Sequence, residues 1–317
     1  MKNSVSKVVI IGAGSVGSTF AFSLMRTGLT REIVLIDKDE NRANGECMDL
    51  NHGAAFVPPV KIYPAGYEGC KNADIVVITA GVKQKAGESR IDLLQRNAGI
   101  MKEIVGNIIQ YTKDAILLIV SNPVDILTYV AMKVSGFPKK KVIGSGTVLD
   151  TSRFRYLLSE HCRVDARNVH AYIIGEHGDT ELAVWSQANI GGMRLSKYCP
   201  LCNRQGCNYK EDLQKIFEEV KNSAYKIIEF KGATYYAIGL SLVKIVSAIL
   251  RDENSVLPVS GYLENRHGVS DVYLSIPAIV NRNGIERQLE IELSKEEEVQ
   301  FRASAEKLKA EIERLKI

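Results

Sequence analysis

Residues 7–17 read Lys7-Val8-Val9-Ile10-Ile11-Gly12-Ala13-Gly14-Ser15-Val16-Gly17. An apolar, β-branched run passes directly into three glycines, and a helical stretch through Phe20, Phe22 and Leu24 follows. A lone glycine pattern is weak evidence, but a strand before it and a helix after it give it meaning. In that setting the glycines let backbone amides approach a pyrophosphate at the positive end of a helix. Four further runs, Ile33 to Ile36, Ile75 to Ile78, Ile116 to Val120 and Val142 to Gly144, are apolar on both faces. Such strands suit a parallel sheet covered by helices on each side, so the first half is expected to be a doubly wound α/β sheet.

Asp37 ends the second run, 20 residues beyond Gly17. A carboxylate there accepts hydrogen bonds from adenosine ribose hydroxyls and repels a 2′-phosphate, which favours NAD over NADP. A glycine turn with a capping aspartate in some other α/β protein would use the same residues.

After about Gly146 the rhythm changes. A helical stretch opens at Asp150, and long helical patterns cover Glu211 to Phe230 and Ala233 to Leu250. Val272 to Val280 and Ile285 to Leu293 flank Asn281-Arg282-Asn283-Gly284, a turn cluster that favours an antiparallel hairpin. The second half therefore reads as α+β, with the boundary between residues 1–145 and 146–317. The chain ends in an amphipathic helix opened by a Ser294-x-x-Glu297 capping box, with Phe301, Ala305, Leu308, Ile312 and Leu315 along one stripe. That stripe suits packing on its own subunit or on a neighbour.

The 317 residues carry 41 Lys and Arg against 37 Asp and Glu, and the +4 excess is spread along the sequence rather than gathered in a tail. Nucleic-acid and membrane-surface roles gain little support. Met1 to Ser6 has no signal-peptide pattern, and the longest apolar runs, such as Ala115 to Val120, are too short to cross a bilayer. A cytoplasmic protein is expected, with its six cysteines as thiols.

Gly175-Glu176-His177-Gly178-Asp179 places a histidine between glycines after the apolar run Ala171 to Ile174. Histidine suits proton exchange near neutral pH, and the flanking glycines allow close approach of a substrate. A histidine in a turn is also commonly structural. Asp150 and Arg153 stand three residues apart at a helix start, on one face. The carboxylate could fix the imidazole tautomer while the guanidinium grips a substrate carboxylate in a fork. An N-cap aspartate with a solvated arginine is the plainer alternative. Gly81-Val82-Lys83-Gln84-Lys85-Ala86-Gly87-Glu88-Ser89-Arg90 emerges at the carboxyl edge of the sheet, with glycines that suit a loop closing over a site.

Together these segments resemble the L-lactate/malate dehydrogenase family over essentially the whole chain. The resemblance is carried by the Gly12 to Gly17 loop, Gly87-Glu88-Ser89-Arg90, Ser121-Asn122-Pro123-Val124-Asp125, Asp150 to Arg153 and Gly175 to Thr180. It implies a Rossmann NAD-binding domain followed by an α+β catalytic domain. It further implies His177 as proton donor and acceptor paired with Asp150, and Arg153 as the binder of the substrate carboxylate. Arg90 would polarise the reacting carbonyl on loop closure, and Asn122 would lie beside nicotinamide and substrate. Thr234 would line the small end of the substrate. Cofactor contacts implied in the same way are Gly12, Gly14, Val16, Gly17, Asp37, Arg42, Tyr67, Gly81, Val82, Asn122 and Ser145.

Malate enzymes of that family resemble a site with arginine at the loop position held here by Gln84. A neutral Gln84 offers no counter-ion to a second carboxylate, so pyruvate and L-lactate are the implied pair. Bacterial relatives form a fructose 1,6-bisphosphate site between subunits from an arginine and a histidine at the positions of Arg155 and His170. The resemblance thus implies an allosteric effector and a homotetramer. Arg155 is two residues past Arg153, so it points to nearly the opposite side of the helix.

Two features depart from the family pattern. Ala86 stands where many relatives have proline, and Cys199-Pro200-Leu201-Cys202 is followed by Cys207. No histidine or fourth cysteine lies close by in sequence to complete a zinc set, which favours a surface loop with oxidisable thiols and no metal. His52, His161 and His267 have no assigned role. Three rivals remain: a malate enzyme, argued against by Gln84; an NAD-dependent glycosidase of related fold, which would need a metal beside the cofactor; and a non-catalytic protein, which could have lost Arg90, Asp150, Arg153 or His177.

Overall fold

The computed structural model describes residues 6–82, 87, 89–201 and 209–315. The first half runs β1 (Lys7–Ile11), α1 (Ser15–Met25), β2 (Glu32–Ile36), α2 (Glu40–His52), β3 (Lys61–Pro64), β4 (Ile75–Ile78), α3 (Arg90–Ile108), β5 (Ile116–Ile119), α4 (Val124–Ser135) and β6 (Val142–Gly144). Six parallel strands pair in the order β3-β2-β1-β4-β5-β6. Val8 and Ile10 face a core shared with Phe20 and Leu24 of α1, while Val9 and Ile11 face Met101 and Val105 of α3. Cores on both faces explain why these strands are apolar throughout. Strand order reverses between β1 and β4, which opens a crevice at their carboxyl ends.

β3 has no counterpart among the expected strands. It lies at the edge, and of Lys61-Ile62-Tyr63-Pro64 only Ile62 is buried. One buried residue in four leaves no alternation to read.

The second half runs α5 (Val148–Cys162), β7 (Val169–His170), β8 (Ile173–Ile174), β9 (Leu182–Ala183), β10 (Asn189–Ile190), β11 (Met193–Arg194), α6 (Leu195–Leu201), α7 (Tyr209–Lys231), α8 (Tyr236–Leu250), β12 (Ser255–Leu257), β13 (Ser260–Leu263), β14 (Val272–Ser275), β15 (Ala278–Asn281), β16 (Gly284–Gln288) and α9 (Lys295–Arg314). The expected single strand over Val272 to Val280 is two, parted at Ile276-Pro277. Proline cannot donate to a strand ladder, and the chain changes sheets there. β14 pairs with β13, and β13 meets β6 at Ser260 and Gly144, so the second half completes an eight-stranded sheet begun by the first. β15 joins β12 and forms the expected hairpin with β16, Asn281 opposite Gly284. Only glycine fits at that turn: a Cβ on Gly284 would lie 2.0 Å from the Lys140 carbonyl oxygen.

α9 begins at the expected cap. Ser294 Oγ accepts from the Glu297 N–H, and the Glu297 carboxylate accepts from the Ser294 N–H. Phe301, Ala305 and Leu308 are buried against Ile174, Leu263 and Leu274, so the stripe docks on its own chain. No helix among the described residues is long and apolar enough to cross a membrane.

Candidate active site

A cleft of about 1050 Å³ opens at the reversal point, walled by Gly14 and Val16 on one side, Asp150 and His177 on another and Tyr225 of α7 on a third. The glycines of the first loop divide into two kinds. A Cβ on Gly17 would lie 1.9 Å from the Gly12 carbonyl oxygen, and one on Gly12 would lie 2.7 Å from Ala80 N. These two serve the packing of the chain on itself. A Cβ on Gly14 would meet nothing within 4 Å, so its missing side chain keeps space in the cleft itself. No side chain caps the first turn of α1, which suits those N–H groups to a dinucleotide pyrophosphate.

Asp37 and Arg42 clamp this loop from behind. The Asp37 carboxylate accepts from Ala13 N–H at 2.7 Å and Asp39 N–H at 3.0 Å, while Arg42 Nε donates to the Ala13 carbonyl at 2.9 Å. Gly81 and Val82 form the opposite lip of the cleft, where Val82 N–H donates to Asn97 Oδ1 at 3.0 Å. Asn97 also donates to the carbonyl of Asn122, itself exposed to the cleft beside the cis peptide bond to Pro123. Gly12, Asp37, Arg42, Tyr67 and Ser145 are not part of the cleft wall. Tyr67 is half-buried against the core beneath α3, and Ser145 is buried with its N–H on the Ile119 carbonyl.

α5 carries Asp150 and Arg153 on one face, as their spacing requires, and the segment after β8 brings His177 to them. Asp150 is 2% exposed. One of its oxygens lies 2.8 Å from Arg153 Nη1 and the other 2.5 Å from His177 Nδ1. His177 is a quarter exposed, toward the cleft. Burial works against charge on the imidazole, but the carboxylates of Asp150, Asp125 and Glu181 outweigh it and push the pKa up to about 9. Burial likewise opposes the charge on Asp150, yet His177 and Arg153 hold its carboxyl below the usual range.

Two further carboxyls belong to this cluster and were not singled out in the sequence. Asp125 is buried beneath it, accepting from His177 N–H at 2.7 Å and from Ser260 Oγ at 2.5 Å; burial pushes its pKa up to about 6. It was visible only as the last residue of the Ser121 to Asp125 motif. Glu181 had no sequence signal beyond following that histidine by four positions. Burial and the nearby Asp150 push its pKa up to about 8. Asp150, His177 and Glu181 bring ligand-capable atoms within 4.8 Å of one another. Arg153 already pairs with Asp150, so the group reads as a cluster that stores protons rather than one that holds a cation.

Thr234 lines the cleft between α7 and α8. Gln84 and the Arg90 side chain lie outside the described residues. Arg155 faces away from the cleft: its Nε donates to the Ala171 carbonyl at 3.0 Å, and its guanidinium lies 5.2 Å from the Tyr172 ring centre. His170 is exposed on β7. Cys202 and Cys207 lie outside the described residues, whereas Cys199 is 3% exposed in α6. For that cysteine the expected surface loop is corrected to a buried helix position, with its Sγ 3.3 Å from His161 Nε2 of α5.

Comparison with known proteins agrees with this geometry. A model described as the lactate/malate dehydrogenase NAD binding domain matches residues 6–144, and one for the alpha/beta C-terminal domain of the same enzymes matches residues 147–316. L-lactate dehydrogenase of Acetivibrio thermocellus is 58% identical over 99% of this chain and 98% of its own length. L-lactate dehydrogenase 1 of Clostridium acetobutylicum is 52% identical over 97% of this chain and 98% of its own. Among solved structures, MGS-M5, a lactate dehydrogenase enzyme from a Medee basin deep-sea metagenome library, superposes with a TM-score of 0.95 at 44% identity, covering 99% of both chains. The minor L-lactate dehydrogenase from Enterococcus mundtii gives 0.93 at 42% identity over 98% of both. With a glycine loop that leaves room for a dinucleotide and a buried aspartate shared by histidine and arginine, this chain belongs to the lactate/malate dehydrogenase family of NAD-dependent oxidoreductases.

Proposed function

We propose that the chain interconverts pyruvate and L-lactate. The observation that carries this reading is the buried Asp150 held between His177 and Arg153 at the edge of the cleft. Bound NADH supplies the hydride. With Nδ1 engaged by Asp150, His177 has Nε2 for the substrate, and at neutral pH the imidazolium donates a proton to the carbonyl oxygen as negative charge grows there. In the reverse direction the neutral imidazole takes the proton from the hydroxyl. Arg153 spends one nitrogen on Asp150 and keeps its other donors for the substrate carboxylate. Asn122 and Thr234 bound the site, and Arg90 polarises the carbonyl when the Gly81 to Arg90 loop closes and excludes water. The division into a cofactor unit, residues 1–145, and a catalytic unit, residues 146–317, belongs to the same reading.

Gln84 carries the choice of pyruvate over oxaloacetate, since it offers a second carboxylate no counter-ion. Arg155 and His170 recognise fructose 1,6-bisphosphate across a homotetramer contact, and the enzyme serves the last step of lactic fermentation in the cytoplasm. The reading is supported by the turn of Arg155 away from the cleft and the exposure of His170. NADH consumption by the purified chain, with pyruvate or oxaloacetate and with or without the bisphosphate, tests all of this. Faster use of pyruvate, enhanced by the bisphosphate, is expected, and Gln84→Arg should move the preference toward oxaloacetate. Preference of the unaltered chain for oxaloacetate would overturn the substrate reading, and indifference to the bisphosphate would return Arg155 and His170 to structural roles.

A further inference from the structure

The apolar stripe that docks α9 on its own chain has a polar edge. Ser304 and Lys307 stand three residues apart, so they share one face of the helix, and both reach the turn that carries His177. Lys307 Nζ lies 3.1 Å and 3.5 Å from the two carboxylate oxygens of Glu176, a residue only 8% exposed. The same carboxylate accepts from Thr180 N–H at 3.3 Å and from the Thr180 hydroxyl, which closes the turn from residue 176 to residue 180 around it. Because the Thr180 proton goes to Glu176, the Ser304 hydroxyl donates to Thr180 Oγ1 at 2.9 Å, and its own oxygen accepts from Glu176 N–H at 3.0 Å. Gly175 makes room for this approach: its φ is +89° and a Cβ there would lie 3.2 Å from Ser304 Oγ.

We infer that Ser304 and Lys307 are positioning residues for His177, holding from the C-terminal helix the turn whose shape sets the imidazole on Asp150. The inference rests on the hydride-transfer reading above. Glu176 and Thr180 bracket His177 on the α9 side, while its backbone N–H is fixed on Asp125. With both sides held, the direction of the imidazole follows from the shape of the turn. Its contact with Asp150 is 2.5 Å long, and a hydrogen bond weakens steeply once its angle or length drifts. Lys307 is the counter-ion of a carboxylate whose side chain is 11% exposed. Without it the charge stays buried with only amide and hydroxyl donors, and the turn opens toward water to solvate it. A misplacement of about 1 Å at a reacting group can cost about 10²-fold in rate.

The test combines two readouts on the full chain. Imidazole NMR of the cofactor-free protein, with the His177 signal assigned by its loss in His177→Gln, follows the titration that Asp150 holds up at about 9. Steady-state NADH oxidation by pyruvate gives kcat and KM. Lys307→Met and Ser304→Ala should each move the His177 titration toward 6.5 and lower kcat at neutral pH by about tenfold or more, with KM for NADH within about twofold. Lys307→Arg should restore both readouts, and Lys295→Met, at an exposed lysine that begins α9, should change neither. A titration that stays near 9 in both variants would overturn the inference, whatever happens to the thermal midpoint, and so would an unchanged kcat. An unaltered chain that ignores pyruvate would defeat the substrate reading instead, and the imidazole titration would still decide this one.

Discussion

Asp150 is shared by two cations, and its value to the site is electrostatic before it is chemical. His177 titrates near 6.5 in an ordinary setting and at about 9 here, so it stays protonated through the neutral range. Reduction needs the protonated form, and the rate of reduction should fall as pH rises through about 9. Asp150→Asn keeps the shape and one acceptor but removes the charge. The alkaline limb of kcat/KM for pyruvate reduction should then move to lower pH, with a loss on the order of 10² to 10⁴ in kcat/KM at neutral pH. A limb that stays in place would mean that the imidazole does not owe its charge to Asp150. The pairing of Asp150 with Arg153 was legible because three helical positions share a face. Glu181 was not: its chemistry comes from burial beside Asp150, and burial in a loop has no period to read.

Helix α9 shows how an element can be anchored at one residue. Glu297 accepts from the Ser294 N–H within the capping box, and also from Ser186 N–H at 3.0 Å and Ser186 Oγ at 2.6 Å. Ser294→Ala should cost about 1 kcal/mol in chemical denaturation, the usual value of a lost cap. Glu297→Ala strands three donors in a buried corner and should cost more, roughly 2 to 3 kcal/mol. Equal losses would show that the link to Ser186 contributes nothing. The box itself was readable four residues at a time, and so were the apolar strands β1, β2, β4, β5 and β6. β3 escaped because a single buried isoleucine makes no pattern. The division of Val272 to Val280 escaped because Pro277 changes the sheet without changing the hydrophobicity. The contact of His161 with Cys199 lay beyond reach, since 38 positions of sequence separate them.

Across the whole molecule, several buried groups hold protons more tightly than they would in an unfolded chain. His177 is raised from 6.5 to about 9 and Glu181 from 4.5 to about 8. The His177 contribution is complete below pH 6.5 and is lost as pH rises through 9. The raised Glu181 lowers stability progressively between 4.5 and 8, and both therefore act in the same direction. The thermal midpoint of the cofactor-free protein should fall between pH 6.5 and 9, and Glu181→Gln should make that fall shallower. A flat profile over this interval would contradict the proton-storing cluster.

The completion of the main sheet by β13 and β14 carries a consequence for how the chain is made. Ser260 reaches Asp125 across 135 positions of sequence and supplies the residue that pairs with Gly144 at the edge of β6. A nascent polypeptide leaving the ribosome therefore exposes β6 as a bare edge, with unpaired N–H and C=O groups, until residues 260–275 emerge. Throughout that interval the Asp125 carboxyl lacks its serine donor. The Rossmann half is thus a late-finished object, its β6 edge open to chance pairing with other strands after its own residues have been made, and the translation rate over residues 145–260 sets how long that exposure lasts.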